Sequence, residues 1–398
     1  MFEFGNRFAV LHPKVQFDIP PEPESYELEE YKQWLVKNKP DIVQVPLNLL
    51  KPLADEGLLL PLDERIQRDG FALEAFHAPV IQTIREAGAG KLYGFAPYFD
   101  TAALYYNRTL FERNGVKLPT DRMSWEDVLR LASRFGGTTE DGQPVYGLTT
   151  QDGSPFQLVM TIGETEGLRI TGGDDAEPTI NTPAWTRITD EVANAYRNGS
   201  ISVGSNITSS ITMAEQSKSS PFLSGRAAMT FMPSYYRSDI IAATEQKLFG
   251  DDWGIVTQPV DSRNPDRASQ FSLPIVFAIT ANSPNSEAAW ALLQDFLGPE
   301  KAEQDAKLGI YRTFARLPDE MDQGPQGNSV FYKLNPDGQS VIANIGRALN
   351  EKTFRFEQAL VQAGNEELQA VVKGDLSAAD ALKRLQAEAE AGQFGSAP

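Results

Sequence analysis

The stretch Leu92–Pro119, LYGFAPYFDTAALYYNRTLFERNGVKLP, constrains this chain more than any other. Leu104-Tyr105-Tyr106 reads as a buried apolar strand, and Arg108–Arg113 as a short amphipathic helix following it directly. Asn114-Gly115 supplies the left-handed residues that end that helix. Ser124 is placed to cap a further helix, and Asp127, three residues on, completes a capping box. Behind that cap, Trp125, Val128, Leu129, Ala132 and Phe135 recur at spacings of three and four, which predicts a helix to Phe135 stopped by Gly136-Gly137.

The same alternation runs through the rest of the chain. Strands are expected at Asp41–Val45, Val145–Leu148, within Phe222–Met232, at Trp253–Pro259 and at Pro274–Thr280. Helices are expected at Phe2–Leu11, Thr182–Arg197, Glu287–Leu297 and through most of Val341–Gln393. Val15–Ile19 reads as a strand, and the Ser/Thr-rich Ile201–Lys218 as a surface loop with one helical turn. Strands alternating with helices predict an α/β fold.

Composition removes several function classes. With 398 residues the chain is long enough for two lobes of ordinary domain size. Its net charge is 36 − 54 = -18, a field that opposes nucleic-acid binding. There is no cysteine, hence no disulfide or thiolate site, and His12 and His77 are too few for a multi-histidine zinc centre. No metal and no cofactor is expected. Thr138-Thr139-Glu140-Asp141 lacks the alternating carboxylates of a calcium loop. Gly88-Ala89-Gly90-Lys91 fails as a phosphate loop, because Leu92 follows the lysine and Arg85 takes the first glycine position. Neither a G-x-S-x-G elbow nor H-E-x-x-H occurs. The adjacent carboxylates Asp174-Asp175 and Asp251-Asp252 leave one enzymatic alternative, a secreted glycoside-acting enzyme using a carboxylate pair.

The segment from Leu104 to Trp125, with its Tyr106-Asn107 pair, Thr109-Leu110-Phe111, Asn114-Gly115 and Ser124-Trp125-Glu126, resembles the extracellular solute-binding proteins of ABC importers. The likeness is to the sugar-binding group that includes maltose-binding protein. Pro40-Asp41-Ile42-Val43, Leu53–Leu62, the FLSGRAAMTFM run at Phe222–Met232 and the strand–helix pair Pro274–Leu297 are similar to further segments of that group. The resemblance implies a two-lobe, periplasmic-binding-protein-like fold with inter-lobe crossings and a central ligand cleft. Lobe 1 would hold residues 1–98 plus 274–310, and lobe 2 residues 102–271 plus 312–398. Crossings would fall near 97–102, 270–275 and 309–313. Ser272-Leu273-Pro274 stands where relatives carry glycines, which would stiffen the second crossing.

The implied function is capture of a small-molecule carbohydrate, an oligosaccharide above all, by hinge closure and its delivery to the transmembrane permease subunits of an ABC importer, by a monomer without turnover. The implied location is extracytoplasmic, periplasmic or as a cell-surface lipoprotein. The N-terminus carries no basic n-region, apolar h-region and cleavage site, and relatives start with a strand, so a leader and a first strand are expected to precede Phe2.

Ligands of open α/β sheets sit outside the carboxyl ends of strands. Asn48 follows the strand Asp41–Val45, where its amide can serve a sugar hydroxyl or cap a helix. Tyr98 and Asp100 precede the first crossing, and the resemblance places Asp100 where a carboxylate contacts sugar. Gln151, Asp152 and Phe156 follow the strand Val145–Leu148. Tyr235 and Tyr236 follow Phe231-Met232-Pro233, and the resemblance puts Tyr235 where a sugar-stacking aromatic stands, one tyrosine of the pair being expected in the core. Phe271, Tyr311 and Arg312 are nominated by nearness to crossings, Arg312 as a bidentate partner for an acidic sugar.

Overall fold

The computed structural model describes residues 2–150, 154–170, 178–202, 212–307, 313–318 and 321–394, with the side chains of 2–4 and 305–307 left aside. Its main strands are β1 (Ile42–Val45), β2 (Gly94–Phe95), β3 (Tyr98–Asn107), β4 (Tyr146–Thr150), β5 (Ala227–Pro233), β6 (Trp253–Thr257), β7 (Val276–Ile279) and β8 (Thr313–Phe314). The chain divides into two compact units. The first comprises residues 1–100, 271–321 and 336–350, and the second 101–270, 322–335 and 351–398.

In the first unit β7 is central, antiparallel to β1 on one side (Val45 opposite Val276) and to β2 on the other (Phe95 opposite Phe277). All four β7 residues are buried, as a run covered on both faces must be. The helix Ser286–Phe296 follows, placing Trp290 in the core, where its indole N–H donates to Asp69 at 2.7 Å. Phe71 and Phe76 pack edge-on or tilted around Phe95.

In the second unit the order is β6-β3-β5-β4, with β3 antiparallel to both neighbours and β4 parallel to β5. Tyr106-Asn107 earns its place in two ways. Asn107 is buried at the end of β3, where its Oδ1 accepts from the Leu110 N–H at 2.9 Å and caps the helix Arg108–Arg113. Its Nδ2 donates to Asp251 at 2.7 Å, pinning the turn that leads into β6. One amide therefore ends a strand, starts a helix and anchors a neighbour. The Ser124–Asp127 capping box is present, and Trp125 seals the helix behind it by donating to Thr165 Oγ1 at 3.1 Å.

Several expectations need correction. Val15–Ile19 has no strand partner among the described residues; it is irregular, with Phe17 and Ile19 over a third exposed. Asn114 keeps a right-handed backbone, and Gly115 alone, at φ 61°, supplies the left-handed residue. The expected single turn in Ile201–Lys218 is the longer helix Met213–Ser219, begun by a Thr212–Glu215 capping box. The third crossing lies at 321/322, not 309–313. Thr313-Phe314 pairs with Phe99-Tyr98, and Ala315 N–H donates to Pro97 O, which ties this segment into the first unit. Two further passages occur at 335/336 and 350/351, because the helix Gly338–Leu349 packs on the helix Ala78–Ala87 and on Leu47–Leu49. Residues 336–350 therefore belong to the first unit, not to lobe 2.

His77 lies in the first unit, its ring stacked on Phe99 at 5.4 Å, and Phe99 stacks in turn on Phe271 at 5.0 Å. Burial pushes the imidazole down to about 4. Unfolded, it titrates near its ordinary value of about 6.5. Between those values the unfolded chain binds a proton that the folded one refuses, so this contribution to stability is full above pH ~6.5 and declines as pH falls toward ~4. His77→Phe should flatten the fall in melting temperature over that range relative to the parent chain; parallel profiles would refute the assignment.

Candidate functional site

In the second unit a cavity of about 150 Å³ opens beside the carboxyl ends of the parallel pair β4 and β5. At ~30 Å³ per water it holds about five waters, less than a typical complete ligand pocket. Its polar lining comes from Thr150, Gln157, Thr161 and Gln270, and its apolar lining includes Phe231 and Pro233. The helix Pro155–Thr165 builds one wall. Ser154 caps it, accepting from Gln157 N–H, and its Phe156, Val159 and Ile162 face the core. Gln157, Thr161 and Glu164, at i, i+4 and i+7, form the opposite polar stripe. Thr161 donates to Gln157 O at 2.9 Å, and Gln270 Nε2 donates to Glu164 at 2.8 Å. The Gln157 side-chain amide has no hydrogen-bond partner among the described residues. The site thus offers amides and a hydroxyl beside an aromatic and a proline, suited to a ligand with hydroxyls and apolar ring faces.

The nominated residues fall into three sets. Gln151, Asp152, Tyr311 and Arg312 lie outside the described residues. Phe156, Tyr236 and Phe271 are core side chains, correcting their nomination. Phe156 is 1% exposed and packs so closely on Gly364 that a Cβ there would sit 2.3 Å from its ring. Tyr236 is 2% exposed, edge-on to Tyr105 at 5.5 Å, and burial raises its phenol. Phe271 is buried in the stack with Phe99.

The third set remains accessible. Tyr235 is 45% exposed, at the start of the helix Tyr236–Glu245. Its turn is fixed from below: the buried Tyr105 hydroxyl lies 3.0 Å from Pro233 O and 3.1 Å from Ser234 O, while Ser234 N–H donates to Thr101 O at 2.8 Å. In the first unit Asp100 is exposed, and Tyr98 is partly buried with its ring 5.4 Å from Phe314. Asn48 is inside a one-turn 3-10 helix, Leu47–Leu49, whose cap position belongs to Pro46, so it caps nothing. Its Oδ1 is buried without a partner among the described residues.

Gln157, Thr161 and Gln270 were missed by sequence reasoning. A signal exists in FQLVMTIGET: Gln157, Thr161 and Glu164 fall on one helical face. The carboxylate pair Asp251-Asp252 serves structure. Asp251 accepts from Asn107, and Asp252 accepts the Trp253 N–H at 2.9 Å and pairs with Arg108. Asp174-Asp175 lies outside the described residues.

The profile of the family described as bacterial extracellular solute-binding protein matches residues 32–303. The sn-glycerol-3-phosphate-binding periplasmic protein of Rhizobium meliloti is 23% identical over 364 residues, covering 87% of this chain and 79% of that one. Among solved structures, a sugar transporter from Rhizobium etli in an open conformation has a TM-score of 0.63 at 18% identity, covering 96% of this chain and 94% of its own. The maltose/maltodextrin-binding domain of Bdellovibrio bacteriovorus, bound to maltotriose, has a TM-score of 0.53 at 19% identity, covering 98% and 95%.

The burial of Phe156 and Tyr236 sets a test on the ligand-free protein. Phe156→Ala and Tyr236→Ala should each lower unfolding free energy by roughly 3–5 kcal/mol, the usual cost of emptying an aromatic core position. Tyr235→Ala should change it by about 0.5 kcal/mol or less. Equal losses for Tyr235→Ala and Tyr236→Ala in chemical denaturation would contradict the placement.

Proposed function

The chain belongs to the bacterial extracellular solute-binding protein family, and from that premise we propose that it is the binding component of an ABC importer for a polyhydroxylated solute, a carbohydrate or a polyol. The observation that carries this reading is the cavity beside β4 and β5, where Gln157, Thr161 and Gln270 stand beside Phe231. Amides and hydroxyls meet sugar hydroxyls without a net charge, and flat apolar groups cover ring faces. Relatives named for sn-glycerol 3-phosphate or bound to maltotriose support the ligand class. Members of the family are transport binding proteins, and the commitment of Asp251 and Asp252 to structural bonds removes one motive for the glycosidase alternative.

In this reading Tyr235 stacks on the ligand, Asn48, Tyr98 and Asp100 supply further contacts, and closure about the chain passages near 100/101 and 270/271 excludes water and commits the solute for delivery to the permease. The protein acts outside the cytoplasm and returns its ligand chemically unchanged.

A thermal-shift panel of polyols and of mono- and oligosaccharides tests the reading, since a ligand at 100 times its Kd adds about 2.7 kcal/mol of stability. A stabilising solute should reduce the radius of gyration in solution scattering and be recovered intact. Covering about 60 Å² of the Tyr235 face contributes on the order of 1.5 kcal/mol, so Tyr235→Ala should weaken that solute roughly tenfold. A panel without a hit, or a recovered ligand with a cleaved bond, would overturn the proposal.

A further inference from the structure

We propose that Arg347 of the first unit, with Asn48 beside it, forms a subsite for an oxyanion and an adjoining hydroxyl, so that the solute is a polyol or sugar bearing a phosphate monoester or a carboxylate. The proposal rests on the solute-binding reading above and adds to it the charge of the ligand and the residue that meets it.

Arg347 lies on the helix Gly338–Leu349, which packs on the one-turn helix Leu47–Leu49 that carries Asn48. The contact is direct at Gly346, the residue before Arg347. A Cβ at Gly346 would stand 3.6 Å from Asn48 Nδ2 and 3.7 Å from its Cβ. Two side-chain atoms of these elements are buried and lack hydrogen-bond partners among the described residues: Asn48 Oδ1, an acceptor, and Arg347 Nε, a cationic donor. Arg347 Nη2 donates to Asn344 Oδ1 at 2.8 Å. Nη2 carries two protons, so one remains for a second partner beside Nε.

No carboxylate among the described residues pairs with Arg347, although the chain carries 54 acidic residues against 36 basic ones. A buried guanidinium N–H left unmade is costly, more so than a neutral one. The edge formed by Nε and Nη2 is a fork that matches the two oxygens of a phosphate or carboxylate. Asn48 Oδ1 adds an acceptor, which an oxyanion cannot satisfy and a hydroxyl can. The complement of this pair is a molecule with a hydroxyl and an oxyanion. A neutral oligosaccharide would leave the guanidinium without its counter-charge.

Calorimetry on the full chain decides it, using sorbitol, sorbitol 6-phosphate, sn-glycerol 3-phosphate, gluconate and inorganic phosphate as probes. At least one charged polyol should bind more tightly than sorbitol, with the phosphate esters and gluconate separating the two oxyanion sources. Arg347→Gln should weaken the charged ligand by about tenfold to a hundredfold, the worth of one hydrogen bond to a charged group, and leave sorbitol unaffected. Arg347→Lys should fall between, and it keeps the test open if Arg347→Gln unfolds. Asn48→Asp should weaken the charged ligands by repulsion more than it weakens sorbitol. Sorbitol or a neutral oligosaccharide binding as tightly as every charged probe, or Arg347→Gln weakening charged and neutral ligands alike, would overturn the subsite while leaving the solute-binding function standing. Absence of binding by every probe and every neutral sugar would overturn both.

Discussion

The second unit is organised around one buried amide. Gln258 is 1% exposed, and all of its hydrogen-bonding capacity is used. Its Oε1 accepts from Ser269 N–H and Oγ–H at 3.1 Å and from Gln270 N–H at 2.8 Å. Its Nε2 donates to Thr101 Oγ1 at 3.2 Å and to Gln270 O at 3.0 Å, and Thr101 itself donates to Gln270 O at 2.9 Å. Thr101 is the first residue of this unit after one passage, and Gln270 the last before another. One side chain thus holds two passages side by side. Such an amide has no apolar substitute, since removing it would strand two backbone N–H groups in the interior.

The first unit holds the same two passages by different means. Phe99 and Phe271 stack, with His77 behind them. A polar clamp in the second unit and an aromatic stack in the first thus flank the passages at 100/101 and 270/271. The Ser272-Leu273-Pro274 segment follows a residue, Phe271, that is held by a non-local aromatic stack. Leu273 is fully buried, consistent with a segment fixed by packing as well as by proline.

What the sequence made legible follows from how local each cause is. The capping box at Ser124 and the apolar β3 and β7 are set by residues within a few positions and are legible in the sequence; the cap at Asn107 is equally local, but the sequence reading does not assign it. The helix Gly338–Leu349 was readable as a helix, but periodicity says which face is buried and not against what. Its partners, Leu47–Leu49 and Ala78–Ala87, lie some 250 or more residues earlier in the chain, so its unit was misassigned. The site shows the same limit at finer grain. Phe156 was nominated and Gln157 beside it lines the cavity, because one step along a helix rotates a side chain by about 100°. The resemblance favours Tyr235 over Tyr236 as the ring that faces a ligand, while the packing of Tyr236 against Phe222 and Tyr105 is not visible in the local sequence.

The cavity and the clamp share a residue. Gln270 gives its backbone N–H and C=O to Gln258 and Thr101, while its side chain lines the cavity and donates to Glu164. A second route runs through Ser269, whose hydroxyl donates to Gln258 Oε1 and lies 3.1 Å from Thr165 Oγ1, at the end of the helix that supplies Gln157 and Thr161. A polar network fully satisfied in a low-dielectric interior has few alternative arrangements. A ligand competing with Glu164 for the Gln270 amide would act on the residue whose backbone fixes the passage, with no intervening chain to absorb the change. Gln270 and Ser269 thus tie the cavity wall to the Gln258 network through hydrogen bonds within the second unit.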